Sequence, residues 1–371
     1  EATTTVGSVA ADVRDLAGSV ALSLHGQDPS GQVTKLLVEA TSDNSPYSDV
    51  GSFVEAWNRA IGDHPARDHA ATYTPTRNPY KGLQAFGELD ADDFYGRDTE
   101  IAEIIDTLRD RRFVAVVGPS GIGKSSVTRA GAIPALRNGA IDGSEDWLIT
   151  DMMPGAYPFE ELTAALMRVS VEPPTQMEEE LRGSSRGLLR YVRRYLPEDS
   201  TLLLVIDQFE ELFTLSSESE RIAFLAMLAA TAADRRSNVR VIITMRADFF
   251  DRPLSFAELG DALRDGTIPI ASPRRDSLLT MIERPATAVG VGIEPGLAGR
   301  ITSEVRDQPG ALPLLQYAMA EIFDGRSSNT ITSSDYESAG GVLGALGTRA
   351  ESIYVGLGQE DQHAARQVFL R

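Results

Sequence analysis

One eight-residue segment constrains this chain more than any other. Residues 118–125 read Gly-Pro-Ser-Gly-Ile-Gly-Lys-Ser and match the phosphate-binding pattern G-x-x-x-x-G-K-[ST] at every fixed position. The apolar residues 112–117 before it predict a buried strand, and residues 124–137 after it predict a helix. Glycines let the backbone curl so that its N–H groups face phosphate oxygens, and a helix N-terminus adds positive potential. The segment therefore predicts a site for the phosphates of a nucleotide.

The residues of this loop have distinct expected roles. Lys124 is expected to reach the β- and γ-phosphates, and the hydroxyl of Ser125 is expected to hold Mg²⁺. The other loop residues are expected to enclose the phosphate chain with their backbone, namely Gly118, Pro119, Ser120, Gly121, Ile122, Gly123 and Ser126.

Apolar strand-like segments alternate with helical segments through the middle of the chain. The candidate strands are 112–117, 147–152, 201–206, 239–245 and 267–270, and the helical segments are 99–111, 124–137, 159–169, 184–196, 217–235 and about 255–264. This alternation predicts an α/β fold in which a parallel five-stranded sheet is covered on both faces by helices. Beyond residue 272 no strand is predicted, and helices are expected at 275–289, 296–306 and 312–323.

Polar side chains follow two of these strands at the edge where open α/β sheets bind their ligands. Asp207 is expected to hold Mg²⁺, directly or through water. Glu210 and Glu211 lie just past the same strand, and either could orient the water that attacks a γ-phosphate. Arg246 ends the next strand and is a candidate for sensing or stabilising that phosphate. The competing interpretations are that the glutamates are solvated residues at a helix start and that Arg246 only pairs with Asp248.

Composition restricts the function further. A chain of 371 residues is expected to form two or three domains, and its net charge of −19 argues against broad binding to nucleic acid or anionic lipid. There is no cysteine, which excludes disulfides and thiol chemistry and is compatible with the cytoplasmic location that we expect. The apolar stretch 222–233 is too short to span a bilayer. A helical pattern at 362–370 runs almost to Arg371, where this sequence stops, so we expect a longer protein.

The order of these motifs resembles the STAND class of signalling NTPases, and within it the novel STAND branch of bacterial multidomain proteins. Residues 78–86, Asn-Pro-Tyr-Lys-Gly-Leu-Gln-Ala-Phe, are similar to the lead-in of that family, and residues 93–98, Asp-Phe-Tyr-Gly-Arg-Asp, resemble its h-h-G-R-[DE] motif. The segments 207–214 and 245–250 are similar to its acidic strand and its sensor strand. Residues 307–315 resemble the Gly-x-x-Pro turn of its helical domain, and 334–341 resemble the start of its winged-helix domain.

This resemblance implies further roles and boundaries. In the family, the turn equivalent to Phe94, Tyr95, Gly96 and Arg97 packs on the adenine, largely through backbone groups, and Pro313 matches a residue of the domain that closes over the nucleotide. The implied division is 78–254 for the P-loop nucleotide-binding domain, 255–330 for the helical domain and 331–371 for the start of a winged-helix domain. Residues 1–77, an N-terminal unit and linker, stay unassigned.

The implied activity is that of a signalling switch that binds ATP with Mg²⁺ and hydrolyses it slowly. ADP would keep the domains closed, and exchange for ATP would open them and expose surfaces for self-association. The sensor and effector partners would be other domains or proteins, which these residues do not identify.

Other phosphate-loop proteins make different demands on the sequence. A Ras-like GTPase requires Asn-Lys-x-Asp, and none of the three lysines follows an asparagine. A transporter ATPase requires Leu-Ser-Gly-Gly-Gln, which is absent. An AAA+ remodelling ATPase remains an alternative, with Arg274 and Arg275 as candidate arginine fingers. A nucleotide-gated scaffold that does not hydrolyse ATP and a DNA-binding regulator also remain open.

Overall fold

The described chain divides into two compact units. A computed structural model describes residues 77–371, apart from 171, 198–199, 235, 307–309, 359–361, 363–364, 366 and 368–371. Of these, residues 84–284 form the first unit, and residues 77–83 with 285–371 form the second. The first unit thus includes residues 255–284, which the sequence assigned to the helical domain. The unassigned segment 1–77 lies outside the described residues except for its last member, Arg77.

A parallel five-stranded sheet forms the centre of the first unit, which confirms the predicted fold class. Its strands are β1 (Phe113–Gly118), β2 (Leu148–Met152), β3 (Leu202–Ile206), β4 (Val239–Arg246) and β5 (Thr267–Pro269). Their order across the sheet is β2-β3-β4-β1-β5. Both β1 and β3 are buried along their whole length, as expected for strands covered on both faces. Each strand starts and ends within one residue of its predicted bounds.

Helices precede, connect and follow these strands. In chain order they are α1 (Asp98–Asp110), α2 (Lys124–Ser126), α3 (Ile133–Arg137), α4 (Pro158–Met167), α5 (Met177–Arg182), α6 (Gly187–Tyr195), α7 (Glu211–Thr214), α8 (Glu218–Ala233), α9 (Asp251–Leu254), α10 (Ala257–Gly266) and α11 (Arg275–Ala288). Local sequence sets several helix starts. Pro158 occupies the first turn of α4, where no N–H is needed, and the side chain of Ser217 accepts a hydrogen bond from the Glu220 N–H at the start of α8.

Two apolar cores lie on opposite faces of the sheet, because side chains along a strand alternate between its faces. One core joins Ala115 and Val117 of β1 to buried residues of α4, α6 and α8. The other joins Val114 and Val116 to α1 and to the helical turns after β1. Burying a large apolar side chain contributes about 1.5–3 kcal/mol. The two cores thereby fix the carboxyl edge of the sheet, where the candidate site residues lie.

The helical segment after β1 contains one turn of π-helix, Val127–Ala132, between α2 and α3. The sequence predicted an uninterrupted α-helix at 124–137. In the structure the N–H of Ile133 donates to the carbonyl oxygen of Thr128, five residues earlier. Pro134 has no N–H to continue the regular ladder, which favours a widened turn. Gly131 also allows close packing, because a Cβ there would lie 2.6 Å from the Ile101 side chain.

The second unit is mostly helical. Its elements are β6 (Gly292–Ile293), α12 (Leu297–Val305), α13 (Ala311–Gly325), β7 (Thr330–Ile331), α14 (Ser333–Ser338) and α15 (Gly341–Gly356), together with the end of α11. The helices predicted at 275–289, 296–306 and 312–323 are confirmed. The prediction of no strand beyond residue 272 is wrong, since β6 and β7 pair in parallel. Strands of two residues are too short to give a periodic pattern. The winged-helix assignment of 331–371 stays a prediction.

The predicted lead-in, residues 78–86, belongs to both units. In the second unit, the Asn78 side chain donates to the carbonyl oxygen of Ala320 at 3.0 Å, and the Tyr80 ring meets the edge of Phe323. In the first unit, the N–H of Phe86 donates to Ser126 Oγ at 3.2 Å. Across the described residues, no helix has the length and hydropathy needed to cross a lipid bilayer.

Candidate functional site

The loop between β1 and α2 is shaped by its glycines. Gly121 and Gly123 have φ angles of +70° and +92°, a left-handed conformation that residues with a Cβ rarely adopt. At Gly118 a Cβ would lie 2.6 Å from the carbonyl oxygen of Ile270. These three positions therefore require glycine, and together they curl the loop around the start of α2.

Lys124 lies inside this loop. Its ammonium donates to the carbonyl oxygens of Gly118 at 3.0 Å and Pro119 at 2.8 Å. Burial lowers the pKa of the Lys124 amine, while the carboxylates of Glu210 and Asp207 act to raise it. A lysine ammonium, curled backbone and a helix N-terminus in one place form a site suited to phosphate groups.

Asp207 is the buried acceptor beside this loop. Ile206 of β3 pairs with Ile243 of β4, so Asp207 comes level with Thr244. Its Oδ1 atom accepts hydrogen bonds from Ser125 Oγ at 2.7 Å, from the N–H of Gln208 at 3.1 Å and from the Thr244 hydroxyl. Because the Ser125 hydroxyl donates a hydrogen bond to Asp207, its oxygen keeps lone pairs for a metal ion. This donor set fits a hard cation such as Mg²⁺.

The residues after Asp207 turn sharply. Gln208 has a φ of +52°, and it is the non-glycine residue with a left-handed backbone in the described part of the chain. The N–H of Phe209 donates to the carbonyl oxygen of Thr244 at 2.8 Å, and the Phe209 ring is fully buried. This anchored turn directs the next residue, Glu210, toward the end of β4.

The two candidate glutamates have different surroundings. Glu210 Oε2 accepts a hydrogen bond from the N–H of Arg246 at 3.1 Å. Burial raises the pKa of Glu210, against the backbone hydrogen bonds and the charges of Lys124 and Arg246, which act to lower it. Glu211 Oε2 instead accepts from the N–H of Gly155, in the loop after β2, at 3.3 Å. The charge of Glu210 thus acts on the lysine of the loop.

Arg246 makes the ion pair that the sequence offered as its competing interpretation. Its Nε and a terminal nitrogen lie 3.0 Å and 2.7 Å from the two carboxylate oxygens of Asp248. Both side chains are partly exposed. The role of Arg246 toward a γ-phosphate stays a prediction.

The turn expected to meet adenine is tied to the phosphate loop. Gly96 has a φ of +80°, and a Cβ there would lie 2.7 Å from the Ser277 carbonyl oxygen. Arg97 is fully buried and donates to the carbonyl oxygens of Ile122 at 2.9 Å and Ala271 at 3.1 Å. The Phe94 ring lies 5.4 Å from the Phe86 ring. Arg97 thus fixes the loop through its side chain, while contact of Phe94 and Tyr95 with a base stays a prediction.

Pro313 lies in the first turn of α13, in the second unit. A proline fits there because the first turn of a helix needs no N–H partner. Residues 307–309 of the predicted Gly-x-x-Pro region lie outside the described residues. The expected part of Pro313 in holding a nucleotide stays a prediction.

The sequence did not identify three residues that lie near Asp207. They are Thr244, Arg129 and Asp151; a terminal nitrogen of Arg129 lies 3.3 Å from Asp207 Oδ2 and 3.0 Å from Asp151 Oδ2. A signal for Arg129 was present, because it lies four residues after Ser125 on the same face of the helix. Asp151 also lies near the carboxyl end of a predicted strand.

Metal binding here would need ligands from outside the protein. Within the described ranges, no group of three or more His, Asp or Glu side chains is arranged to hold a metal ion. Mg²⁺ commonly takes one or two protein ligands together with phosphate oxygens and water. Ser125 and Asp207 match that mode of binding.

Comparison with known proteins gives one family and several distant folds. The family model Novel STAND NTPase 1 matches residues 79–371. No curated protein matches the chain in sequence. Among solved structures it is similar to Cdc6p of Pyrobaculum aerophilum, with 12% identity, a TM-score of 0.47 and coverage of 74% of this chain and 66% of that one. It is also similar to the ORC1 protein of Aeropyrum pernix, solved in complex with DNA, with 18% identity, a TM-score of 0.48 and coverage of 67% of this chain and 65% of that one. The chain thus spans less than two thirds of either structure.

The burial of Glu210 predicts a change in stability with pH. Because the pKa of Glu210 is raised in the folded protein, its ionised form opposes folding above that pKa, and this cost disappears as the pH falls through it. Glu210→Gln keeps an acceptor for the Arg246 N–H without the charge. We expect the nucleotide-free variant to have a higher Tm than wild type at pH 8 and an equal Tm near pH 4.5. Thermal unfolding across that range measures the difference; a gap that widens toward low pH would contradict the assignment.

Proposed function

Since the chain belongs to the Novel STAND NTPase 1 family, we propose that it is an ATP- and ADP-binding switch that hydrolyses ATP slowly. One observation carries the proposal. The hydroxyl of Ser125 in the phosphate loop donates to Asp207 at the end of β3, with 2.7 Å between the oxygens. This bond brings the two halves of a phosphate and metal site together across the end of the intervening strand β4.

The loop supports binding of the phosphate chain. On nucleotide binding, the Lys124 ammonium would leave the carbonyl oxygens of Gly118 and Pro119 and donate to the β- and γ-phosphates instead. The N–H groups from Gly121 to Ser126 would donate to the same oxygens. Binding would thus replace neutral acceptors of Lys124 with charged ones, and hydrogen bonds between charged groups are roughly twice as strong.

Ser125 and Asp207 would hold Mg²⁺ together with the nucleotide. The bound ion would neutralise charge on the phosphates as the γ-phosphate is cleaved. Ser125 would offer its oxygen to the ion while its hydroxyl continues to donate a hydrogen bond to Asp207 Oδ1. Asp207 could then accept hydrogen bonds from the water of the ion.

Glu210 is our candidate for the residue that orients the attacking water. Its carboxylate lies beyond β3, is coupled to Lys124 and is fixed by the Arg246 N–H. Burial raises its pKa, which brings a carboxylate closer to the proton affinity that a general base needs at neutral pH. Glu211 holds the loop after β2 instead.

Arg246 is our candidate for the residue that distinguishes ATP from ADP. Its guanidinium pairs with Asp248, and partly exposed pairs of this kind contribute only about 0–1 kcal/mol. A γ-phosphate could therefore draw Arg246 away from Asp248 at little cost. Such a change shifts a conformational balance only if the two states bind ATP with different affinity. We propose that the ATP state opens and self-associates, under control of sensor and effector partners.

The proposed phosphate contact of Lys124 predicts a loss of affinity. Lys124→Ala removes the ammonium of the loop and should weaken ADP and ATP binding about tenfold or more, or 1.4 kcal/mol and above. Isothermal titration calorimetry measures this. Lys81→Ala, the matched change at the other described lysine, should bind ADP as wild type does. Unchanged affinity in Lys124→Ala would contradict the phosphate assignment, and GTP binding as tight as ATP binding would contradict the adenine assignment.

The different surroundings of the two glutamates predict different turnover. Glu210→Gln should keep ATP binding and lower the hydrolysis rate roughly 10²-fold, as for loss of a general base. Glu211→Gln, with the same change of charge one residue away, should keep turnover near the wild-type rate. Steady-state phosphate release measures both. If Glu210→Gln hydrolyses ATP at the wild-type rate, the base lies elsewhere or the protein is a non-hydrolysing scaffold.

The proposed role of Arg246 predicts a nucleotide-dependent assembly. The full-length protein with a non-hydrolysable ATP analogue should expand and form larger oligomers than with ADP, and Arg246→Ala should abolish this difference while leaving ADP affinity nearly intact. Arg252→Ala, an exposed arginine six residues later, serves as the control. Small-angle scattering and size-exclusion chromatography report both effects. Identical profiles with the two nucleotides would contradict the switch.

A further inference from the structure

Arg129 contacts the candidate metal ligand from the helix that follows the phosphate loop. It lies on the π-helical turn Val127–Ala132. One of its terminal nitrogens lies 3.3 Å from Asp207 Oδ2 and 3.0 Å from Asp151 Oδ2. The Nε atom of Arg129 is buried and has no hydrogen-bond partner within the described ranges. A buried donor without an acceptor costs free energy, so the two carboxylates must outweigh that cost.

The contact with Asp207 differs in kind from the other contacts of that carboxylate. Its Oδ1 atom accepts from Ser125, Thr244 and Gln208, which are all neutral donors. Arg129 supplies a formal positive charge, at Oδ2. The Asp207 side chain is only 4% exposed, and a buried carboxylate needs a compensating charge.

Asp151 contacts the same terminal nitrogen of Arg129 as Asp207 does. The Asp151 side chain is 46% exposed and also pairs with Arg168, at 3.7 Å. Water screens such a group, so it depends less on Arg129 than buried Asp207 does. Acids and arginines therefore alternate in the order Asp207, Arg129, Asp151 and Arg168, running from the candidate metal site toward the surface.

We propose that Arg129 is a positioning residue that serves as the resident counter-ion of Asp207. It compensates the buried charge while no cation is bound, so that Asp207 keeps its geometry and does not repel the phosphates of an incoming nucleotide. Mg²⁺ at Ser125 and Asp207 brings a second positive charge, after which Arg129 contributes less. The nucleotide part of this inference rests on the proposed function, whereas the charge compensation does not.

A double-mutant cycle on the nucleotide-free, metal-free protein tests the compensation directly. Arg129→Gln leaves Asp207 buried without its salt bridge and should lower the Tm of the first unit, residues 84–284, by about 3–6 °C, the scale on which a unit of about 200 residues responds to loss of one or two kcal/mol. In the Asp207→Asn background, the same Arg129→Gln change should lower the Tm by less than about a third of that shift. Equal losses in both backgrounds, or no loss in either, would overturn the proposal.

Two further variants keep this test decisive. Arg168→Gln removes the same charge from the other side of Asp151, and its effect on Tm should not depend on Asp207→Asn. If Arg129→Gln alone does not fold, the Arg129→Gln/Asp207→Asn protein must fold, because it carries no uncompensated carboxylate. A double variant that also fails to fold would show that Arg129 acts through packing, and this too would overturn the proposal.

The second readout is the magnesium dependence of ADP affinity. In EDTA, Arg129→Gln should weaken ADP binding about tenfold, because the uncompensated charge of Asp207 repels phosphate. In excess Mg²⁺ the loss should shrink to about threefold or less. An equal loss in both buffers would contradict the counter-ion role. Failure of the wild-type protein to bind ADP would contradict the proposed function instead, and the Tm cycle would stand on its own.

Discussion

The carboxylate of Asp207 is the group on which the geometry of the site depends. It is buried at the end of β3 and receives Ser125 from the phosphate loop, Thr244 from β4 and the N–H of Gln208 from its own turn. Three segments that are far apart in the chain therefore meet on one oxygen atom. An unpaired buried carboxylate would cost several kcal/mol of folding free energy. The positions of the three segments therefore depend on one another through their hydrogen bonds to Asp207.

The turn that follows Asp207 gives the next two glutamates different surroundings. Gln208 adopts a left-handed backbone, and buried Phe209 anchors it. Successive glutamates then face different elements: Glu210 meets the end of β4, and Glu211 meets the loop after β2. Two adjacent residues of the same type, placed after one left-handed position between the strand and α7, therefore have different hydrogen-bond partners.

The sequence predicted those parts of the fold and site that depend on local pattern. Continuous apolar runs predicted β1 and β3, and the spacing of Gly118, Lys124 and Ser125 predicted the loop. The π-helical turn was not predicted, since it depends on Pro134 and on the packing of Gly131 against α1. Strands β6 and β7 are too short to show periodicity.

The sequence did not reveal three residues around the site, and the reason is the same for each. Thr244 and Arg129 contact Asp207, and Asp151 contacts Arg129, because of the order of strands across the sheet and the phase of one helix. The linear sequence does not display either. The separate surroundings of Glu210 and Glu211 were likewise undetermined by sequence, because the offset from a strand end does not reveal a left-handed turn. The resemblance to STAND NTPases, in contrast, rested on the motifs and their order, and the family match over residues 79–371 confirms it.

Hydrogen–deuterium exchange tests most directly the central claim that a nucleotide binds by its phosphates between the loop and Asp207. Backbone N–H groups that donate to phosphates exchange more slowly, and the method locates them along the chain. With Mg²⁺ and ADP, we expect slower exchange in peptides covering 118–126 and 207–211 than with Mg²⁺ alone. Saturating nucleotide that leaves exchange at 118–126 unchanged would contradict it.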